Sequence, residues 1–137
     1  MKDKEFRDLQ AGIQVHVDRW AARFGLNTWN LKAEYERDGD EFSPSQRDGT
    51  TRTETLAHTV TNWPYMQATV TFNCKALSNL SHADVEAAVV HELSHVLVAE
   101  LRDVSDDFLK HEERTVTLLA RAFLTTRDDA LQEVAKR

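Results

Sequence analysis

The chain has one cysteine, Cys74, so no internal disulfide can form, and the start from Met1 to Asp8 lacks the apolar run of a signal peptide. Both absences lead to the expectation of a cytoplasmic protein. No stretch approaches the roughly 20 apolar residues that a spanning helix requires, so no membrane partner is expected. Positive charge is also in deficit: 17 Lys and Arg against 23 Asp and Glu leave a net charge of −6. The basic residues are scattered rather than clustered, which argues against a nucleic-acid partner. There is no internal repeat and no obvious linker. The 137 residues therefore read as a single domain, 1–137, large enough for a core and too small for two lobes, with the oligomeric state left open.

Against that background, His91-Glu92-Leu93-Ser94-His95 carries the most chemical information. Residues four apart project from one face of a helix, so the imidazoles of His91 and His95 can close on one metal ion while Glu92 serves as general base beside it. That is the working part of a Zn2+ peptidase. Every residue from Ala87 to Ala99 is uncharged apart from His91, Glu92 and His95. A helix that is apolar nearly all round must be buried, and buried histidines and a buried glutamate need partners, which a metal supplies. Ser81 with Asp84 reads as a capping box and Leu80 as a hydrophobic staple, placing the motif in mid-helix.

A zinc site that performs chemistry needs three protein ligands and an open position. The metzincin extension HExxHxxGxxH is absent, since Val98 stands in place of its Gly, and that class is excluded. Downstream, residues 104–124 form a second amphipathic pattern with Leu109, Val116, Leu119, Ala120 and Phe123 on one stripe. Glu112 and Glu113 flank the extension of this stripe, Glu112 slightly nearer its centre, whereas His111 points away. A carboxylate facing the core needs a cation. Placement alone leaves both glutamates open as the third ligand, the other being a solvated first-turn residue favoured by the helix dipole.

These features resemble the gluzincin-type peptidases, whose third ligand is a Glu on the helix after the HExxH helix, often followed by a small polar residue four positions on and a small residue seven on. From Glu113 those positions hold Thr117 and Ala120; from Glu112 they hold Val116 and Leu119. The resemblance thus implies Glu113 as the metal ligand beside His91 and His95, and Thr117 as a residue that orients a ligand imidazole. In size and order of elements, including Gly25 to Leu31 after the first helix, the chain is similar to the minimal zincins, short HExxH proteins with a trailing Glu-Glu helix common in phages and mobile bacterial elements. That likeness implies a zinc metallopeptidase with a peptide or protein substrate, as in the ImmA/IrrE-like enzymes that cleave repressors. It also implies an oxyanion donor, for which Tyr65 and His58 are the candidates. The alternative is a zinc-binding interaction module with little or no turnover, although such a site does not need Glu92. The SprT-like proteases use a third His downstream, but here His111 is followed by Glu112 rather than Gly and no Cys-rich finger follows.

The rest of the chain reads as an α+β, zincin-like minimal fold. Phe6, Leu9, Ile13, Val17, Trp20 and Phe24 recur at helical spacing, so residues 3–24 form an N-terminal helix ended by Gly25, with His16 at the edge of its stripe. Trp29, Leu31, Ala33 and Tyr35 alternate with polar residues as in a strand. Asp38 to Gly49 is a loop by composition. Thr50 to Asn62 and Met66 to Lys75 suit further strands on either side of a Trp63-Pro64 break, completing a small three- to four-stranded mixed sheet before the HExxH helix and the C-terminal helix. Cys74 is expected as a small buried strand residue. By resemblance to zincins, Gln67 to Asn73 is expected to be the edge strand that pairs with an extended peptide.

Overall fold

The computed structural model describes residues 1–38, 55–104 and 106–137. The loop expected over Asp38 to Gly49, apart from Asp38, and the first part of the strand expected from Thr50 lie outside the described residues. The chain is α+β, with a three-stranded mixed sheet among the described residues. Helix α1 (Asp3–Arg23) buries Ile13, Val17 and Trp20 and stops where Gly25 takes a left-handed φ of 69°, a conformation glycine adopts without a Cβ penalty. Strand β1 (Asn30–Glu36) follows a short 3-10 turn, with Leu31, Ala33 and Tyr35 packed against the core.

Strand β2 (Ala57–Asn62) turns through Trp63–Tyr65 and a left-handed Met66 into β3 (Gln67–Asn73). The strand order is β1-β3-β2, with β3 parallel to β1 and antiparallel to β2. This overturns the expectation that Gln67–Asn73 forms the edge. The strand before the motif helix is central: both its sides are hydrogen-bonded, and Ala68, Val70 and Phe72 as well as Thr71 and Asn73 are buried, as in a strand covered on both faces. Among the described residues, the terminal strand next to the motif is β2.

Strand β3 runs directly into the short helix α2 (Cys74–Leu77), capped by Asn73, whose Oδ1 accepts from Ala76 N–H at 3.1 Å. Cys74 is therefore buried at the start of a helical turn rather than in a strand, and burial pushes its thiol up to about 11. Helix α3 (His82–Leu97) carries the motif, and its Ser81 cap accepts from Asp84 N–H at 3.2 Å. The capping box closes differently from the usual pattern, since the Ser81 hydroxyl itself donates to the Asp84 carboxylate. After α4 (Leu101–Val104), α5 runs from Asp106 to Ala135, well past the expected limit at Leu124, because no Gly or Pro interrupts it. Val116 and Ala120 of its stripe are buried and Phe123 packs on Phe24 at 4.7 Å between centroids, whereas Leu109 is 55% exposed. Among the described residues, no helix is long and apolar enough to cross a membrane.

Helix α3 touches α1, α5, β2 and β3, so its own polar residues lie inside the fold. Glu86 is one of them. It accepts from Trp20 Nε1 of α1 at 2.8 Å and from Arg127 of α5 at 2.6 and 3.1 Å, and His16 Nδ1 lies 3.8 Å away. Burial by itself raises the Glu86 carboxyl, but the hydrogen bonds from Arg127 and Trp20 prevail and hold it below its ordinary 4.5. Glu86→Ala leaves Trp20 Nε1 unpaired and Arg127 with Asp128 alone, and is expected to cost about 3 kcal/mol, read as a lower urea midpoint at unchanged slope. With the folded pKa depressed, the stabilisation is present above pH 4.5 and is lost as pH falls through the folded value. Glu86→Gln should remove that part of the acid-side loss, and an unchanged pH profile of stability would sink the assignment.

Candidate metal centre

The motif lies near the C-terminal end of α3, where His95 and Glu92 are buried and His91 is half-buried. Ser94, wholly inside the core, satisfies its hydroxyl on Val90 O at 2.7 Å within the helix, so the polar group between the two histidines needs no outside partner. The helical spacing brings His91 Nε2 and His95 Nε2 to 3.3 Å, with the rings edge to face. One ligand atom each from His91, Glu92 and His95 lie within 4.8 Å of one another, a group able to hold a metal ion.

Both glutamates of α5 reach this centre, by opposite sides of His95. Glu113 Oε2 lies 3.3 Å from His91 Nε2, and its Oε1 lies 3.1 Å from His95 Nε2. Glu112 Oε1 meets the other nitrogen of His95, Nδ1, at 2.9 Å, and its two oxygens accept from Arg102 Nε at 2.8 Å each. Of the pair, Glu112 is 5% exposed and fully engaged. Glu113 is the open one, its side chain 76% exposed while its oxygens face the histidines.

The charges agree with this geometry. Hydrogen bonds from His91 and His95 hold the Glu113 carboxyl well below the usual carboxylate range. Burial pushes the Glu112 carboxyl up, but Arg102 and His95 outweigh it and the net shift is downward. Burial also presses the His95 pKa down, yet the bonds to Glu113 and Glu112 and the charge of Glu92 raise it. The site thus attracts a proton onto His95, and a metal ion would compete for the same nitrogen.

The separations allow a direct test of fit. Zinc bonds of about 2.0–2.1 Å in tetrahedral geometry place neighbouring ligand atoms about 3.3–3.4 Å apart. The His–His contact, at 3.3 Å, has that size, and Glu113 lies within reach of both nitrogens through different oxygens, Oε2 at 3.3 Å from His91 and Oε1 at 3.1 Å from His95. Two neutral imidazoles and one carboxylate also form a donor set suited to zinc, with a second carboxylate, Glu112, fixing the tautomer of His95 from behind.

An open cavity of about 930 Å3 lies over the centre, walled by Thr55 to Thr59 of β2 and its approach, by Leu80 before α3 and Asp84, Ala87 and Ala88 along it, and by Arg102 and Glu113. His58 lines it, whereas Tyr65, 75% exposed on the β2–β3 turn, does not. Glu112 rather than Thr117 partners His95 Nδ1, and His111 is exposed. Two further residues of the site escape sequence reasoning. Arg102 sits on α4, outside any pattern that links it to Glu112. Thr59 on β2 donates to the Glu92 carboxylate across the helix–strand boundary, and strand alternation says which face it is on but not what it meets. Compared with known proteins, the chain matches no protein-family profile, no curated protein and no solved structure.

The two glutamates should separate in a metal titration against a competing chelator. Glu113→Ala removes a carboxylate that faces both Nε2 atoms and is expected to abolish any tight metal binding. Glu112→Ala keeps all three donors and is expected to weaken binding by roughly ten- to hundredfold. Equal effects of the two variants would mean that the division of roles is wrong.

Proposed function

We propose that the chain is a zinc-dependent peptidase of minimal zincin type, with His91, His95 and Glu113 as metal ligands and Glu92 as general base. The observation that carries the reading is the convergence of Glu113 from α5 onto both Nε2 atoms, one carboxylate oxygen to each at 3.3 and 3.1 Å, with Glu92 held alongside. The order of elements supports the fold assignment: a helix, three strands, the motif helix, and a last helix bearing the third ligand.

When bound, zinc supplies Lewis acidity, polarising a carbonyl and lowering the pKa of water. The chain's own residues do the rest. His95 is oriented by Glu112, which is in turn neutralised by Arg102, so the imidazole presents Nε2 to the cavity. Glu92 lines the same cavity and is placed to take a proton from the attacking water and return it to the leaving amine. The exposed side of Glu113 leaves the centre open towards the cavity, where substrate must enter. Strand β2, terminal in the sheet among the described residues, runs along the cavity wall and offers main-chain groups to an extended peptide.

Support for turnover over simple zinc-dependent recognition comes from Glu92. A buried glutamate beside two ligand histidines, hydrogen-bonded by a threonine, is a costly feature for a site that only holds metal. The test is metal content and hydrolysis of an unfolded-peptide pool, followed by mass spectrometry, for wild type, Glu92→Gln and His95→Ala. Wild type should carry one zinc per chain and cleave peptides. Glu92→Gln should keep zinc and fold while losing at least about 100-fold in rate, and His95→Ala should lose both metal and thermal stability. A Glu92→Gln protein as active as wild type would refute the mechanism, and a wild-type chain that takes up no zinc would refute the metal centre.

A further inference from the structure

We infer that Thr59 is a positioning residue that holds the Glu92 carboxylate away from direct coordination and so preserves it as a base. This deepens the peptidase reading and rests on it. Thr59 lies on the core-facing side of β2, between the exposed His58 and Val60, and its Oγ1 donates to Glu92 Oε2 while also lying 3.3 Å from the Glu92 main-chain oxygen. Among the described residues, this is the hydrogen bond that the Glu92 carboxylate makes.

The need for such a restraint follows from distance and charge. The Glu92 ligand atom stands within 4.8 Å of those of His91 and His95, close enough that the three form a potential metal-holding group by themselves. A flexible carboxylate this near a divalent cation is drawn towards it. If Glu92 joined the ligand set, it would fill the open position and cease to be a free acceptor for a proton, turning a catalytic centre into a closed structural one. A charge-assisted hydrogen bond from a strand anchored in the sheet opposes that movement. Thr59 is well suited because its χ1 is restricted by branching at Cβ, so the hydroxyl direction is fixed by the strand. A mere tie between β2 and α3 would be served as well by the main-chain oxygen alone, and the carboxylate contact would be incidental.

Cobalt(II) substitution separates these roles, because its visible spectrum weakens as coordination number rises, independently of turnover. Wild type and Thr59→Ser should share one spectrum. Thr59→Val, which keeps the shape and removes the hydroxyl, should show a weaker, shifted spectrum and a turnover lower by roughly ten- to hundredfold at unchanged KM. The double variant Thr59→Val/Glu92→Gln should regain the wild-type spectrum, since the charge that moved is gone. A Thr59→Val protein with wild-type spectrum and turnover would overturn the inference while leaving the peptidase reading intact. A spectral change that persists in the double variant would also overturn it, by assigning the change to something other than Glu92. Failure of wild type to take up cobalt would overturn both, and cobalt uptake without hydrolysis would end the peptidase reading while the spectra still judged Thr59.

Discussion

The polar ties between α3 and α5 govern the placement of everything else. A helix buried as completely as α3 can carry charged groups only where a neighbour meets them. Strand β2 meets Glu92 through Thr59, and α5 meets the charged groups at two further places. Glu86, early in α3, holds Arg127, late in α5; His95, late in α3, meets Glu112 and Glu113, early in α5. The two helices therefore run antiparallel with their register fixed at both ends. Apolar stripes alone tolerate a slip of one turn, about 5.4 Å, with modest repacking. The buried ion pairs do not, because such a slip would strand a carboxylate at each end. Trp20 extends the same constraint to α1 by donating to Glu86 and stacking beneath Arg127 at 5.6 Å.

With that register set, the adjacent glutamates divide naturally. Successive helix residues point about 100° apart, so two neighbours cannot face one atom, but they can straddle a ring. Glu113 meets His95 from its Nε2 side and Glu112 from its Nδ1 side. Arg102 cancels the charge of Glu112, so the second carboxylate orients without adding negative charge to the centre. On the proposed reading, zinc with two neutral imidazoles and one carboxylate then retains net positive charge, as a developing oxyanion requires.

What the sequence revealed and what it hid differ by range. The HExxH spacing, the Ser81 cap, the α1 stripe and Gly25 are local features, read correctly because a helix imposes its period within a few residues. The glutamates were narrowed to two by the same periodicity, but which meets which nitrogen depends on how α5 sits against α3. The strand order was misassigned because order in a sheet is set by long-range pairing. Both β2 and β3 carry Thr and Val, and only their partners distinguish an edge from a centre. The length of α5 was missed for another reason, since residues beyond Leu124 are largely exposed and carry little apolar period. Thr59 and Arg102 had no signature at all, being ordinary residues until the fold brings them to Glu92 and Glu112.

The corrected strand order also changes how binding and chemistry connect. Had β3 been the edge, the strand next to the substrate would have led directly into α2 and towards the motif helix. Instead β2 is the terminal strand among the described residues, and it is tied at its approach by Asn73, whose N–H and Nδ2 donate to the carbonyls of Leu56 and Thr55. Two residues beyond its first position, Thr59 reaches Glu92. The same short strand thus forms the cavity wall, offers its edge and touches the base. On the proposed reading, a peptide that pairs with β2 acts on a segment anchored at one end to the sheet and at its middle to Glu92. Binding at the edge and alignment of the base are then mechanically one event, because no flexible connection lies between them.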